Sequence, residues 1–487
     1  MLASSLSRTR DRLIALVVVG IVFVSLVAFV QINLDWDFRY LPNSIRPSQH
    51  DPAVYTRFGN ALFEALEQSG PPIPPLKDVP YRDNSGLIFW KATNDTLRPD
   101  ILHMESDAVL AMRQAHEDYI EATKDLQLPF RPRTSGIVST AGGRYLPIFI
   151  ISLRMLRRTG CHLPVELFLR NEEEHGAYLC DTLLPSLNAR CVRLDDIVGA
   201  KATTISKFQV KIFSLLFTSF ENALFLDADN FLLRDPKDIF KQQPFRSSGL
   251  VTWPDFWASS ASKHFYEIIN FPTPAMNERA SSESGQLLVS KASHGKALMA
   301  TAYYNFYGPE YFYQLLTQDG PGGGDKETFL AGAQAVGAPF YQVGHYVDTI
   351  GYYEDGHYHG VAMMQYDPIE DAAITRSGKE VAKRKPFSVH HNYPKYDTVE
   401  LFSAEGAAID HATGQGHRLL GNKTLTLERF NGRDVEYELW EEIEHVACVL
   451  GDKFRHWQVL PNTDERNGTC DSVKHYRATV FAADEIV

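Results

Sequence analysis

The chain has 487 residues, of which 44% are hydrophobic and 22% are charged, and its formal net charge is −12. This composition is typical of a globular protein with enough apolar residues for one large core or two smaller ones. Nucleic-acid phosphates are bound by clustered Lys and Arg, and no basic block occurs after the first dozen residues. The composition therefore argues against a nucleic-acid partner.

The first feature along the chain is an apolar run from Leu13 to Val30 that contains no charged residue. Its length is at the lower end of what crosses a bilayer as a helix. Three arginines precede the run and two aspartates follow it, which predicts a cytoplasmic tail at 1–12 and a signal anchor at 13–32. Everything after the anchor would then be luminal, in a single-pass type II topology. A cleaved signal peptide stays open as the alternative.

A luminal stem is predicted for residues 33–130, because prolines such as those at 71–75 interrupt it, and one helix is predicted near Asp107–Lys124. The sequons and the cysteines all follow the apolar run, which agrees with a luminal body. Proximity suggests the disulfides Cys180–Cys191 and Cys448–Cys470, with Cys161 either free or exchanging with a partner. The sequons begin at Asn94, Asn422 and Asn467.

Strands and helices alternate from residue 131 to about 400, which predicts an α/β domain with a largely parallel sheet. A segment at 401–487 follows, with a helix near Val435–Leu450 that we expect to pack on that domain. The alternating elements are predicted strands at Ser135–Thr140, Leu163–Leu169, Ala223–Leu226, Leu287–Val289 and Pro386–Val389, and predicted helices at Tyr145–Arg158, Ala177–Leu187, Lys207–Phe220 and from Glu327 onward.

Small and basic residues follow the first of these strands and begin a later helix. Gly142 and Gly143 would let the backbone approach a nucleotide, and Arg144 could pair with its phosphate. An ordinary turn is an equal alternative. Lys207 and Lys211, one helical turn apart, would share a helix face and could assist a diphosphate, although solvated lysines are the simpler interpretation.

The sequence Asp227-Ala-Asp229 directly follows the short apolar strand Ala223–Leu226. Ligands of open α/β sheets bind at the carboxyl ends of strands. Two carboxylates spaced i, i+2 at such an end can converge on one hard cation, which favours a Mg²⁺ or Mn²⁺ site that would also contact a diphosphate.

Two later segments supply further candidates. Glu283 and Gln286, next to the strand Leu287–Val289, could contact sugar hydroxyls, with a plain turn as the alternative. Asp325 follows the glycine-rich loop at 320–324, which is typical of a mobile lid.

His390 and His391 end the predicted strand Pro386–Val389. Neutral imidazole is an acceptable Mn²⁺ ligand. Adjacent strand residues point to opposite faces, so only one of the two histidines should reach the site.

Taken together, these segments resemble the fungal α-mannosyltransferases of glycosyltransferase family 71, which branch cell-wall mannan. The similarity runs from about residue 134 to 396. The stretches that carry it are GIVSTAGGRYLP, LRRTGCHLPVE, SKFQVKIFSLLFTSFENALFLDADNFLLRDP, GLVTWPDFW, SGQLLVSK, GGGDKETF and VHHNYPK.

The resemblance implies a GT-A fold, a Rossmann-like mixed sheet, with GDP-mannose as donor and Mn²⁺ as cofactor. It also implies a Golgi membrane enzyme that retains the anomeric configuration. Such an enzyme adds α-1,2-linked mannose to mannan or to the outer chains of N-glycans, and it could form complexes with other Golgi transferases. The family's metal-binding aspartates correspond to Asp227 and Asp229, and the late histidine corresponds to His390. Asp325 and Glu283 are then donor- or acceptor-site candidates.

Three alternatives follow from the same residues. The first is a GT-A enzyme with another donor, such as UDP-galactose, UDP-glucose or UDP-N-acetylglucosamine, because the metal motif says little about base or sugar. The second is a non-catalytic, membrane-tethered glycan-binding protein. The third, a metal-dependent hydrolase, lacks a second histidine–carboxylate cluster.

Overall fold

The computed structural model describes residues 52–76, 97–320, 322–379, 381–403, 406–410, 412–454, 457 and 468–481. The predicted signal anchor at 13–32 lies outside these residues. Among the helices that are described, none has both the length and the apolar character needed to span a bilayer.

Eleven strands of the described part of the chain form two sheets. They are β1 Arg131–Thr140, β2 Val165–Leu169, β3 Ala189–Arg193, β4 Phe220–Leu226, β5 Asn230–Leu232, β6 Leu250–Ala258, β7 Ala280–Ser290, β8 Tyr341–Gln342, β9 Asp348–Glu354, β10 His357–Tyr366 and β11 Pro386–His390. The larger sheet has the order β3-β2-β1-β4-β7-β6-β8 and the smaller one β5-β11-β10-β9.

The larger sheet is mixed. Strands β3, β2, β1 and β4 are parallel, β7 is antiparallel to both β4 and β6, and β8 is parallel to β6. All pairings in the smaller sheet are antiparallel. The protein is therefore a mixed α/β protein with a parallel-dominated sheet, as the alternation of elements predicted.

Helices cover both faces of the larger sheet or connect its strands. Their bounds are Pro52–Gln68, Ser106–Thr123, Tyr145–Arg158, Leu184–Ser186, Asp195–Val198, Gln209–Phe217, Phe245–Ser248, Lys263–Ile268, Lys291–Phe306, Tyr313–Thr317, Thr328–Ala335, Pro368–Ser377, Thr398–Leu401, Lys423–Arg429, Val435–Val449 and Gly468–Val480. The helix at 145–158 begins and ends where the sequence pattern placed it.

The core divides into two clusters, one on each face of the sheet, because successive side chains of a strand point in opposite directions. In β1, Ile137 belongs to one cluster and Val138 to the other. In β7, Leu288 belongs to the first cluster and Leu287 and Val289 to the second. Both faces are apolar because both are covered.

Two helices of the predicted stem are part of the second core cluster. Phe63 of the helix Pro52–Gln68 stacks on Phe213, with the ring centroids 5.4 Å apart. Tyr119 of the helix Ser106–Thr123 stacks on Tyr303 at 4.6 Å. These two helices are therefore packed into the core of the α/β domain that they precede in sequence. The division into stem, catalytic domain and terminal segment stays a prediction.

The terminal helix Val435–Val449 packs on the helix Tyr145–Arg158. Glu442 accepts hydrogen bonds from Arg154 and Arg158, and the Arg158 contact measures 3.0 Å. Trp440 and Ile443 on the inner face are fully buried. The terminal segment thus belongs to the first core cluster.

The disulfide pairing suggested by proximity is confirmed. Cys180 is bonded to Cys191, and Cys448 is bonded to Cys470, which links the two terminal helices. Cys161 is free and buried. Among the sequon asparagines, Asn422 is exposed and caps the helix Lys423–Arg429, whereas Asn94 and Asn467 lie outside the described residues.

Candidate active site

A cavity of about 800 Å³ opens where β1 and β4 end. Its wall includes Thr140 at the end of β1, Gly142 just after it, and Asp227 and Asp229 after β4. Six carboxylate and four lysine side chains line it, namely Glu174, Asp227, Asp229, Asp255, Glu283 and Asp325 with Lys207, Lys211, Lys326 and Lys395. The excess of carboxylates favours a bound cation over a bare anion.

The aspartate pair lies in a tight connection between the two sheets. The Asp227 N–H donates to the Gly285 carbonyl at 2.9 Å, which continues the β4–β7 pairing by one residue. The Asn230 N–H donates back to the Asp227 carbonyl at 3.0 Å, and β5 begins there. This turn directs both carboxylates into the cavity.

His390 ends β11 and faces the pair, since it lies opposite Asn230 in the smaller sheet. Its Nε2 is 3.4 Å from Asp229 Oδ1, and its Nδ1 is 2.8 Å from Glu283 Oε1. One ligand atom each from Asp227, Asp229 and His390 lies within 4.8 Å of the others.

Electrostatic contacts shift the pKa values of this cluster strongly. Burial alone would lower the pKa of His390, but the carboxylates of Asp229 and Glu283 raise it to about 10. Burial would raise the pKa of Asp229, but His390 and the ion pair with Lys395 hold it well below its usual range.

A buried lysine supports the other aspartate. Lys211 Nζ lies 3.2 Å from Asp227 Oδ2 and 3.2 Å from Asp325 Oδ2, and it donates to the Ser284 carbonyl at 2.7 Å. Burial opposes the charge on Lys211, yet the carboxylates, Asp227 first, raise its pKa above the ordinary value. Burial also raises the pKa of Asp325, which Lys211 opposes.

Glycine is required at position 285 because the β7 backbone there lies against the side chains of Glu283 and His390. A Cβ atom at this position would lie 2.4 Å from both Glu283 Oε1 and His390 Nδ1. No side chain fits there without displacing the Glu283–His390 hydrogen bond.

The structure places the other predicted residues in different ways. His391 is buried away from the cavity, with its Nδ1 2.6 Å from the Pro394 carbonyl oxygen. Gln286 is also buried in β7, where its side-chain oxygen Oε1 accepts a hydrogen bond from the Asn230 side chain at 3.0 Å, so Gln286 lies neither in a sugar-contacting position nor in a turn. Gly143 and Arg144 do not line the cavity, and Arg144 pairs instead with Glu400.

Lys207 lines the cavity, but the prediction that it shares a helix face with Lys211 is wrong. The helix begins at Gln209, and Lys207 precedes it with a φ of 49°. A side chain outside the helix does not share a face with Lys211. The two lysines reach the cavity from different backbone conformations.

Several cavity residues were missed in the sequence. Lys395 pairs with Asp229, and Lys326 Nζ lies 2.8 Å from Asp255 Oδ2. Trp257 also lines the cavity. Lys395 and Trp257 lie within the stretches VHHNYPK and GLVTWPDFW, which resemble the family. That resemblance was the only feature of the sequence that could have indicated them as site residues.

The donor set suits a divalent cation. Two carboxylates and one neutral imidazole, close together and directed into a cavity, are ligands that Mn²⁺ accepts, and a bound ion would replace the proton on His390 Nε2. Glu283 holds the imidazole through Nδ1, the arrangement that orients metal-bound histidines. The residues present therefore fit the metal that the resemblance implies.

Comparison with known proteins decides the family. The family model Mannosyl_trans3, described as "Mannosyltransferase putative", matches residues 134–280 and 275–367. The α-1,2-mannosyltransferase MNN5 of Saccharomyces cerevisiae is 30% identical over 75% of this chain and 77% of its own length. This chain belongs to that mannosyltransferase family.

Two Candida albicans members show the same relationship. The α-1,2-mannosyltransferase MNN21 is 29% identical over 87% of this chain and 74% of its own length. The α-1,2-mannosyltransferase MNN2 is 32% identical over 69% and 66%, respectively. Membership of this family makes the chain a glycosyltransferase, so the resemblance stated from the sequence is confirmed.

Solved structures match more distantly. The glycosyltransferase GlyE of Streptococcus pneumoniae aligns with 44% of this chain and 46% of its own at 14% identity, with a TM-score of 0.30. The galactosyltransferase LgtC aligns with 43% of this chain and 73% of its own, with a TM-score of 0.27. Scores this low carry no argument about fold or mechanism.

Proposed function

We propose that this mannosyltransferase moves mannose from GDP-mannose to a mannose of a mannan or N-glycan outer chain, forming α-1,2 linkages with retention of configuration. The observation that carries the proposal is the meeting of Asp227, Asp229 and His390 in one cavity at the carboxyl end of β4. The α-1,2 linkage is proposed because the matching fungal relatives are named for it.

Asp227, Asp229 and His390 would hold a divalent cation, with Mn²⁺ as the proposed ion. When bound, it would neutralise negative charge on the diphosphate leaving group. Lys211 and Lys395 hold the two carboxylates from the protein side. Their positive charges partly balance the carboxylates, so the cluster can stay ionised despite its burial.

The remaining cavity wall offers contacts for the rest of the donor. Thr140, Gly142 and Phe208 form a wall on which a nucleoside can lie. The GT-A fold is proposed on the same ground, since the ligand would sit beyond the carboxyl ends of the parallel strands. Glu283 acts as a positioning residue, because it fixes the His390 ring through Nδ1.

Asp325 is proposed as a donor-site residue that acts together with Lys211. Its carboxylate lies in the cavity wall and forms an ion pair with the lysine that also contacts Asp227. The glycine-rich loop before it contributes Gly322 and Gly323 to the wall. No side chain of the cavity is assigned as a nucleophile.

The cellular setting is proposed from the sequence alone. A single-pass type II Golgi protein, anchored by 13–32 with the catalytic part in the lumen, agrees with two disulfides in the body. Association with other Golgi transferases belongs to the same proposal.

Donor choice is tested by ligand-induced stabilisation of the full chain in detergent with Mn²⁺. We expect GDP-mannose at about one hundred times its Kd to raise the free energy of unfolding by about 2.7 kcal/mol, because it binds only the folded state. UDP-galactose, UDP-glucose and UDP-N-acetylglucosamine at the same concentration should produce no shift. A shift with one of these and none with GDP-mannose would replace the donor.

A further inference from the structure

Three tyrosines in or just after the strands of the smaller sheet are exposed. Tyr353 in β9 and Tyr358 in β10 have 73% and 39% of their surfaces accessible, and Tyr393, just after β11, has 78%. Exposed aromatic side chains that are grouped on one surface are candidates for ligand contacts, whereas single ones need no explanation. We call Tyr353, Tyr358 and Tyr393 the tyrosine track.

The two strand tyrosines form one surface on the β9–β10 hairpin. They are directly paired across the strands, and their ring centroids lie 5.2 Å apart. A Cβ on Gly360 would meet Thr349 Oγ1 at 2.8 Å and the Tyr358 ring at 3.8 Å. Thr349 and Gly360 therefore share the face of Tyr358.

Two glycines lie next to the tyrosines in the paired strands. Gly351 is paired with Gly360 across the two strands. Gly360 is exposed and has no side chain that rises above the sheet. Gly351 is buried, and a Cβ there would lie 1.8 Å from the His359 carbonyl oxygen.

The track leads into the candidate active site along β10. Met363, five residues after Tyr358, lines the cavity. At the rise per residue of a strand, this separation is roughly 16 Å. Tyr393 lies beside the same strand, because its N–H donates to the Val361 carbonyl at 3.3 Å. Its neighbour Asn392 lines the cavity.

We infer that the tyrosine track binds an extended oligomannoside acceptor, several sugar rings away from the mannose that receives the transferred sugar. This inference rests on the proposed function and adds to it a site for the distal part of the acceptor. The surface is continuous with the cavity, so one glycan chain can occupy both.

The chemistry of the surface fits a sugar chain. One face of a pyranose ring presents C–H groups, which pack against the electron-rich face of an aromatic ring. Thr349, which is exposed on the same face as the rings, can exchange hydrogen bonds with the hydroxyls at the sugar edges. An apolar protein partner would instead require a larger contiguous apolar patch.

The test compares a long acceptor with a short one in the full-length enzyme. The variant Tyr353→Ala/Tyr358→Ala should raise KM for a mannohexaose about 3- to 10-fold, because the aromatic contacts are lost. The variant Tyr393→Ala should do the same. Both should leave kcat, and KM for methyl α-mannoside, unchanged, since the short acceptor occupies only the cavity.

Matched variants separate binding from folding. Tyr353→Phe keeps the ring and should keep the wild-type KM. Tyr178→Ala removes a tyrosine that is 42% exposed beside the Cys180–Cys191 disulfide and should change neither KM. Equal KM changes for both acceptors, or no change for mannohexaose, would overturn the inference.

A binding measurement distinguishes this inference from the proposed function. Calorimetric titration of mannohexaose without donor should show weaker binding to Tyr353→Ala/Tyr358→Ala than to wild type by the same factor. If wild type transfers mannose to neither acceptor but this difference persists, the proposed function fails and the track stands. Identical binding by both proteins would refute the track.

Discussion

Replacing Asp227 with asparagine is expected to reduce mannosyl transfer by about 10²- to 10³-fold, the scale on which electrostatic stabilisation of a transition state is lost. Asparagine has nearly the same shape but no negative charge, so the cluster would keep two strong cation ligands instead of three. Asp229→Asn should have at least as large an effect, since Asp229 also contacts His390 and Lys395. Initial rates with saturating GDP-mannose and Mn²⁺ measure both.

The matched control for these variants is Asp235→Asn. Asp235 lies six residues after Asp229, pairs with Lys237 at 3.2 Å and does not line the cavity. It should retain the wild-type rate. Circular dichroism and thermal unfolding must show that Asp227→Asn remains folded. A folded Asp227→Asn enzyme with a near-normal rate would remove the metal role from the pair.

Replacing Trp253 with alanine should lower the free energy of unfolding by about 3–5 kcal/mol. Trp253 is completely buried in β6 and stacks on Phe387 of β11, with ring centroids 5.4 Å apart and planes 10° from parallel. Its indole N–H donates to the Tyr366 carbonyl at 2.9 Å. One side chain thus joins the larger sheet to the smaller one, and its loss would leave a cavity between them.

Urea unfolding of the full chain in detergent measures this change, with Leu110→Ala as the comparison. Leu110 is 55% exposed on the helix Ser106–Thr123, so truncating it should change the free energy by no more than about 0.5 kcal/mol. If Trp253→Ala lost less than about 1 kcal/mol, the two sheets would not be held together by this contact.

Local sequence patterns predicted the elements that carry the cluster. The apolar strand before Asp227 and the predicted strand before His390 are both present, and both residues lie where strands end. The strand before Asp227 is recognisable because its apolar residues are consecutive and a polar turn follows. The prediction that only one of two adjacent histidines faces the cavity follows from strand alternation, and the buried position of His391 agrees with it.

Contacts between distant segments could not be predicted in this way. Lys211 meets Asp325 across more than one hundred residues of sequence, and Lys395 meets Asp229 across a comparable separation. Neither pair has a local spacing that indicates it. Arg144 shows the opposite error, a predicted contact that does not form. The sequence suggested that Arg144 binds phosphate, but it pairs with Glu400, and no local motif indicates that ion pair.

The smaller sheet was also missed as a unit. Its strands β5, β9, β10 and β11 come from separate parts of the chain, and β5 has only three residues. Pairing of such strands is decided by tertiary packing, such as the Trp253–Phe387 stack, and not by strand propensity. The helix Pro52–Gln68 was overlooked for a different reason, since the prolines at 71–75 led to the prediction of a stem with a helix only near Asp107–Lys124.

The most direct test is the binding of Mn²⁺ itself, followed by the paramagnetic resonance signal of the free ion during titration of the full chain. We predict one ion per wild-type chain and an affinity at least about tenfold lower in Asp227→Asn, Asp229→Asn and His390→Ala, as for loss of groups that hold a metal. Asp235→Asn should bind like wild type. Unchanged Mn²⁺ affinity in all three folded variants would contradict the account.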